Sequence, residues 1–143
     1  MKVTINICMI LLLGSLSFMA HSEGLPRSES PEGAVVYFIE PMDGATVSSP
    51  IKVVFGLKGM GVAPAGVEKD KTGHHHLLIN VESISMDLPI GKDDQHRHFG
   101  GGQTETSIEL APGQHTLQLL LADHLHIPHK PPVISEKITI TVE

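Results

Sequence analysis

The sequence predicts an all-β fold, an Ig-like antiparallel β-sandwich of six to seven strands, preceded by a cleaved signal peptide. Three observations support this prediction. The chain starts with an apolar run typical of export signals. The later segments are short, apolar on alternate residues, and separated by turns rich in Gly, Pro and Asp. No long segment has the 3.6-residue apolar period of a helix.

Residues 1–22 have the features of a signal peptide. Lys2 precedes the apolar run, and the small residues Ala20 and Ser22 suit a cleavage site after Ser22. Cleavage after Ala20 would instead make His21 the N-terminus, and its amine and imidazole together would chelate copper. We therefore expect a periplasmic or secreted protein with no membrane insertion after cleavage.

Composition excludes several classes of function. The only cysteine, Cys8, lies in the signal peptide, so the mature chain has no disulfide, zinc–thiolate site or cysteine nucleophile. The net charge is −6, or −7 after loss of Lys2, and an acidic chain without a basic block argues against nucleic acid and anionic lipid. The sequence also lacks the G-x-S-x-G motif of serine hydrolases. We expect a binding protein rather than an enzyme, with a copper oxidase using His21 as the minor alternative.

The remaining segments are assigned in order along the chain. Residues 23–33 are polar with two prolines and are predicted to be a tether, which leaves 34–143 as a single Ig-like domain. Strands are predicted in AVVYFIEP, IKVVFGLKG, HHHLLINVES, TETSIEL, QHTLQLLLAD and VISEKITITVE. Loops are predicted over 59–73, 83–103 and 124–132. The predicted core-facing residues are Ile51, Val53, Phe55, Leu57, Leu77, Ile79, Val81, Thr106, Ile108, Leu110, Leu117, Leu119, Leu121, Ile138, Ile140 and Val142.

Ten histidines in 143 residues are the most unusual feature of the composition. Residues i and i+2 of a strand share a face, so three histidine pairs with this spacing can each direct two imidazoles at one ion. Imidazole suits copper, zinc and nickel. The predicted metal-ligand pool is therefore His74, His76, His96, His98, His124 and His126, with Asp123 as an orienting partner.

The positions of the pairs along their strands predict one shared site. If the HHHLLINV and HTLQLLLAD strands are antiparallel, the start of the first and the end of the second lie at one pole of the sandwich. The predicted function is metal carriage or buffering, with copper first and zinc second, in exchange with a periplasmic metal-accepting protein. His75 has the parity of Leu77 and is expected in the core, and His115 is expected to be structural. The alternative is a protein- or glycan-binding module without metal.

Several long blocks of the sequence resemble a known family. They include MGVAPAG, TGHHHLLI, HFGGGQTET, LAPGQHTLQLLLADHLHIPH and PPVISEKITITV. With these blocks the chain resembles, over roughly residues 36–143, a family of small secreted bacterial proteins catalogued as domain of unknown function 4399. The stretch EPMDGATVSSPIKVVF is also similar to the opening of CopC-type periplasmic copper carriers. The first resemblance implies no activity, and the second favours copper.

Overall fold

The computed structural model describes residues 25–143, so the predicted signal peptide and its cleavage site lie outside the described residues. Within this part of the chain there are ten strands and no helix, which confirms the all-β prediction. No helix of the length and apolarity needed to cross a membrane occurs there. The strands are β1 Val35–Glu40, β2 Thr46–Val47, β3 Ile51–Lys58, β4 Gly61–Val62, β5 Thr72–Ile79, β6 His96–His98, β7 Glu105–Ile108, β8 Gly113–Ala122, β9 Pro128–Ile134 and β10 Ile138–Val142.

The strands form two sheets. The small sheet has the order β1-β3-β7, and both of its pairings are antiparallel. In the large sheet, β5 and β8 form the central antiparallel pair, with β10 and β9 on β8 and with β6 and β4 on β5. Two short pairings, β2 with β10 and β4 with β5, are parallel. The prediction of a purely antiparallel arrangement is therefore wrong at these two places.

One hydrophobic core lies between the sheets. The small sheet contributes Val53 and Phe55, and the large sheet contributes Leu77, Leu119 and Ile140, all buried. Most of the predicted inward residues belong to this core, because alternation along a strand fixes which residues face the partner sheet. An exception is Val81, which follows the end of β5 and is only half-buried.

The predicted strand count holds for the longer strands only. Seven strands have four or more residues, and the structure adds β2, β4 and β6, each of two or three residues. The predicted loop 124–132 is wrong from Pro128 onward, because β9 starts there. Proline has no N–H to donate, and β9 contains three prolines. They are tolerated because the bond from β9 to the carbonyl oxygen of Ser28 is donated by the amide of Lys130, which is not a proline.

Residues 27–30, within the predicted tether, lie along β9. The Arg27 side chain donates to the carbonyl oxygens of Pro128, at 2.9 Å, and His129. Glu29 forms a parallel bridge with Lys130, and the Ser28 hydroxyl donates to Asp123 at 2.8 Å. This segment is thus held against the loop between β8 and β9.

The outer face of the large sheet is covered as well. Ile90, in the long connection between β5 and β6, packs with Leu120 and Ala122 of β8 in a second, smaller hydrophobic cluster. The Ile90 amide also donates to the carbonyl oxygen of His126 at 2.9 Å. Side chains on this outer face of β5 and β8 are therefore shielded from water, although they lie outside the main core.

Candidate metal centre

The three consecutive histidines lie on β5, where strand alternation divides them between two faces. His75 points to the main core with Leu77, and His74 and His76 point to the outer face. All three have no exposed surface. Strand alternation on β5 therefore places two imidazoles side by side in a dry environment.

His75 is a core residue, as its parity predicted. Its ring lies 5.0 Å from that of Phe55, centroid to centroid, and both of its ring nitrogens lack a partner among the described residues. Burial lowers the pKa of His75 to about 4, so its ring is neutral at pH 7. Nothing about its contacts suits it to bind an ion.

Replacing His75 by leucine tests this assignment. Removing two buried, unpartnered nitrogens in favour of apolar atoms of similar volume should raise the free energy of unfolding by about 1 kcal/mol. Metal binding should not change, because the ring is on the opposite face of β5 from His74. Urea denaturation and calorimetric titration of the same variant measure both quantities. A loss of metal binding without loss of fold would contradict the core assignment.

His98 reaches His76 through the pairing of β6 with β5. In the antiparallel register His98 lies opposite His76, and the Phe99 amide donates to the carbonyl oxygen of His75 at 3.1 Å. The His98 ring centroid is 5.1 Å from that of His76 and 5.0 Å from that of His74. Three imidazoles are therefore positioned by two hydrogen-bonded strands.

Gly100 makes room for the His98 ring. A Cβ atom at this position would lie 2.3 Å from Cε1 and 2.6 Å from Nε2 of His98, far inside van der Waals contact. Any larger residue must displace the imidazole at the nitrogen that faces the other histidines. Gly100 is thus a positioning residue for His98.

We expect Gly100→Ala to weaken metal binding by about tenfold or more, the usual scale for disturbing groups that orient a ligand. Gly91→Ala is the matched control, since an added Cβ there meets nothing within 4 Å. Both variants should keep nearly the parent's melting temperature without metal. Equal metal affinities for the two variants, measured by calorimetry, would show that Gly100 does not position His98.

His126 comes from the tight loop between β8 and β9. Asp123 organises this loop: its Oδ1 accepts from the amides of Leu125, at 2.9 Å, and Ile127, at 3.0 Å. The backbone of His126 is left-handed, with φ of 66°. This conformation turns its ring onto the outer face of β5, where its Nε2 lies 3.1 Å from Nε2 of His98.

These four side chains, His74, His76, His98 and His126, are called the histidine cluster below. Nε2 of His76 lies 3.0 Å from Nε2 of His74. One nitrogen from each of His74, His76 and His98 falls within 4.8 Å of the other two, which is close enough for one ion to contact all three. The four donors are imidazoles, the ligands preferred by zinc and copper.

His74 and His76 are neutral imidazoles at pH 7. Burial, reinforced by repulsion from the neighbouring histidines, lowers the pKa of His74 to about 4 and that of His76 to about 2. Burial also lowers the pKa of His98, with smaller contributions from His126 and Lys92. Neutral imidazole is the form that binds metal ions, so His74 and His76 need no deprotonation to accept a cation.

Three members of the predicted pool lie outside the cluster. His96 sits opposite Leu78 rather than His76, and its Nδ1 lies 2.9 Å from the Asp93 carboxylate. His124 is half-buried and lines a separate cavity together with His129. Asp123 contacts backbone amides and Ser28 instead of an imidazole, so it orients His126 only through the loop.

The remaining histidines make structural contacts. His115 lies 3.0 Å from the Asn80 side chain and 2.8 Å from the carbonyl oxygen of Ala111, in keeping with its predicted structural role. Both ring nitrogens of His129 face backbone carbonyl oxygens, those of Leu121 and Thr72. The described part of the chain therefore offers one group of converging imidazoles.

A family model described as domain of unknown function (DUF4399) matches residues 53–143. The chain belongs to this family. The matched range contains the whole histidine cluster of this DUF4399 protein. No curated protein and no solved structure matches the chain, so its likeness to CopC-type carriers stays a prediction from one short stretch.

Proposed function

We propose that this DUF4399 protein binds one transition-metal ion in the histidine cluster and serves in metal carriage or buffering. The observation that carries the proposal is the placement of ligand atoms from His74, His76 and His98 within 4.8 Å of one another. His126 lies outside this group of three, and its contact with His98, Nε2 to Nε2 at 3.1 Å, makes it the candidate fourth ligand.

The metal-free arrangement is costly, which supports a ligand role over a packing role. Nδ1 of His74 and Nδ1 of His76 are buried without a partner among the described residues. Their Nε2 atoms contact each other, so at most one of the two can donate to its neighbour. Apolar side chains would fill this space without that cost, because an unpaired buried polar group is unfavourable by about 1–3 kcal/mol. A shared cation would engage the two facing Nε2 lone pairs, which apolar side chains could not offer it, while the two Nδ1 atoms stay buried.

Binding rather than catalysis fits the ligand count. Catalytic zinc and copper centres keep an open position for water or substrate, and four protein ligands leave none in a tetrahedral site. The two sheets around one core support an Ig-like β-sandwich as the scaffold. The N-terminal apolar run supports action in the periplasm or outside the cell, where a second metal-binding protein would exchange the ion.

Copper and zinc are the candidate ions. The cluster offers nitrogen donors, and the affinity order for a given set of nitrogen ligands places Cu²⁺ above Zn²⁺. That order supports copper, as does the CopC-like stretch near the predicted start of the domain.

The test is metal analysis of protein purified without an affinity tag, followed by calorimetric titration of the chelator-treated protein. We expect one equivalent of copper or zinc, and no stoichiometric binding of Mg²⁺ or Ca²⁺, which require oxygen ligands. The variant His126→Ala should weaken metal binding. The variant His124→Ala, which changes a histidine of the same loop outside the cluster, should bind metal like the parent. Absence of any stoichiometric transition metal would refute the proposal and favour a metal-free binding module.

A further inference from the structure

We infer that the histidine cluster is a tetrahedral four-imidazole site, shaped for Zn²⁺ in preference to the tetragonal Cu²⁺ ion. This inference rests on the proposed function and specifies the ion that the site holds. It is carried by the mutual spacing of the four rings, which distinguishes the two geometries.

Six distances relate the four ring centroids. Five of them are nearly equal, from 4.7 Å for His98–His126 to 5.1 Å for His76–His98. The sixth, His76–His126, is 6.0 Å. Four points with nearly equal separations form a tetrahedron, so the rings surround a central point instead of lying around a plane.

A comparison with metal-bound imidazole makes the distinction quantitative. With metal–nitrogen bonds of about 2.0 Å, tetrahedral coordination places every pair of ring centroids roughly 5 Å apart. A square arrangement with similar bonds would give four pairs at about 4.5 Å and two opposite pairs at about 6.4 Å. In the cluster only the His76–His126 centroid distance, 6.0 Å, approaches that of an opposite pair. A square would then require His74 and His98 to be opposite as well, but their centroids are only 5.0 Å apart. The observed set therefore fits the tetrahedron on five of six edges.

The site resists flattening because its parts are fixed. His74 and His76 are held on β5 with no exposed surface, and His98 is fixed by the pairing of β6 with β5. The backbone at Gly100 lies against the His98 ring, which prevents the ring from moving in that direction. His126 is held by the loop that Asp123 organises. A square-planar ion would need to move at least one of these elements.

The chemistry of the donors favours zinc among tetrahedral ions. Zn²⁺ has no geometric preference from its d electrons and is commonly bound by four tetrahedral protein ligands, imidazole among them. Cuprous ion also accepts tetrahedral geometry, but it is selected by thiolate and thioether sulfur. The only cysteine in the sequence, Cys8, precedes the described residues 25–143. The ligand atoms offered by the cluster are all imidazole nitrogens.

The experiment is cobalt substitution of the untagged, metal-free protein, followed by titration with Zn²⁺. Cobalt(II) reports geometry directly, since tetrahedral Co²⁺ absorbs visible light much more strongly than octahedral Co²⁺. We expect an intense visible spectrum at one equivalent of Co²⁺ that one equivalent of Zn²⁺ abolishes. His98→Ala should lower Co²⁺ affinity by about 100-fold or more, and His96→Ala, the control from the same strand, should leave the spectrum unchanged.

The possible results separate the two proposals. Stoichiometric Co²⁺ with a weak, octahedral spectrum would overturn the tetrahedral inference and leave metal binding in place. An axial Cu²⁺ resonance typical of a tetragonal site, with Cu²⁺ retained against a large excess of Zn²⁺, would overturn it as well. No binding of Co²⁺, Zn²⁺ or Cu²⁺ would overturn the proposed function itself.

Discussion

The double variant His74→Leu, His76→Leu should lose metal binding almost completely while the protein stays folded. Two of four ligands disappear, so affinity for Zn²⁺ or Cu²⁺ should fall by well over about 100-fold. Without metal the variant should be as stable as the parent or more so, because two buried Nδ1 atoms without partners are replaced by apolar groups. Calorimetric titration gives the affinity, and urea denaturation gives the stability.

Histidines outside the cluster provide the control for that variant. The double variant His96→Leu, His124→Leu changes the same number of imidazoles, both half-buried and both in the pool predicted from sequence. It should bind metal like the parent. If instead the loss of His96 and His124 weakens metal binding and the loss of His74 and His76 does not, the ion binds elsewhere on the molecule.

Acid should destabilise the metal-free protein steeply below pH 6.5. The pKa is about 4 for His74 and His75 and about 2 for His76 in the folded chain, against 6.5 for each in the unfolded chain. Between these values the unfolded state binds protons that the folded state does not, so stability falls as pH falls. Each of these histidines contributes a slope of about 1.4 kcal/mol per pH unit, so the three together give about 4 kcal/mol per pH unit. The lowered pKa of His98 adds to the slope in the same direction.

Urea denaturation at pH values from 7.5 to about 4.5, with a chelator present, measures this slope. Well above pH 6.5 the three groups are neutral in both states, and the pH dependence should flatten. The variant His75→Leu should lower the slope by about 1.4 kcal/mol per pH unit. The carboxyl groups with a lowered pKa, Asp93 and Asp123, act only below their ordinary value of 3.8 and do not interfere. A stability that is level between pH 6.5 and 4.5 would contradict the burial of neutral imidazoles.

Alternation predicted the strands that carry the core. Leu117, Leu119 and Leu121 on β8, and Ile138 and Ile140 on β10, face inward as the period of two requires. The prediction missed β9 because its three prolines are typical of loops. β9 is held by its neighbour β8 on one side and by residues 28–30 on the other. Residues 28–30 are distant from β9 in sequence, so local patterns do not indicate this contact.

Local spacing predicted part of the site for the same reason. His74 and His76 share a face because β5 is regular through both, and His75 faces the core. His124 and His126 do not share a face, because the chain leaves the strand at Ala122 and His126 adopts a left-handed conformation in the loop. Only His98 of the pair His96 and His98 joins the cluster, because the register of β6 with β5 places His98 opposite His76 and His96 opposite Leu78. Strand register and loop conformation depend on tertiary contacts, so they could not be predicted from the spacing of the histidines alone.

The most direct test of the central claim is a crystal structure of the zinc-loaded protein with anomalous diffraction collected on both sides of the zinc edge. We expect a single strong anomalous peak about 2 Å from ring nitrogens of His74, His76 and His98, with His126 as the fourth ligand. An ion bound instead near His124 and His129, or an empty histidine cluster in a crystal that contains zinc elsewhere, would contradict it.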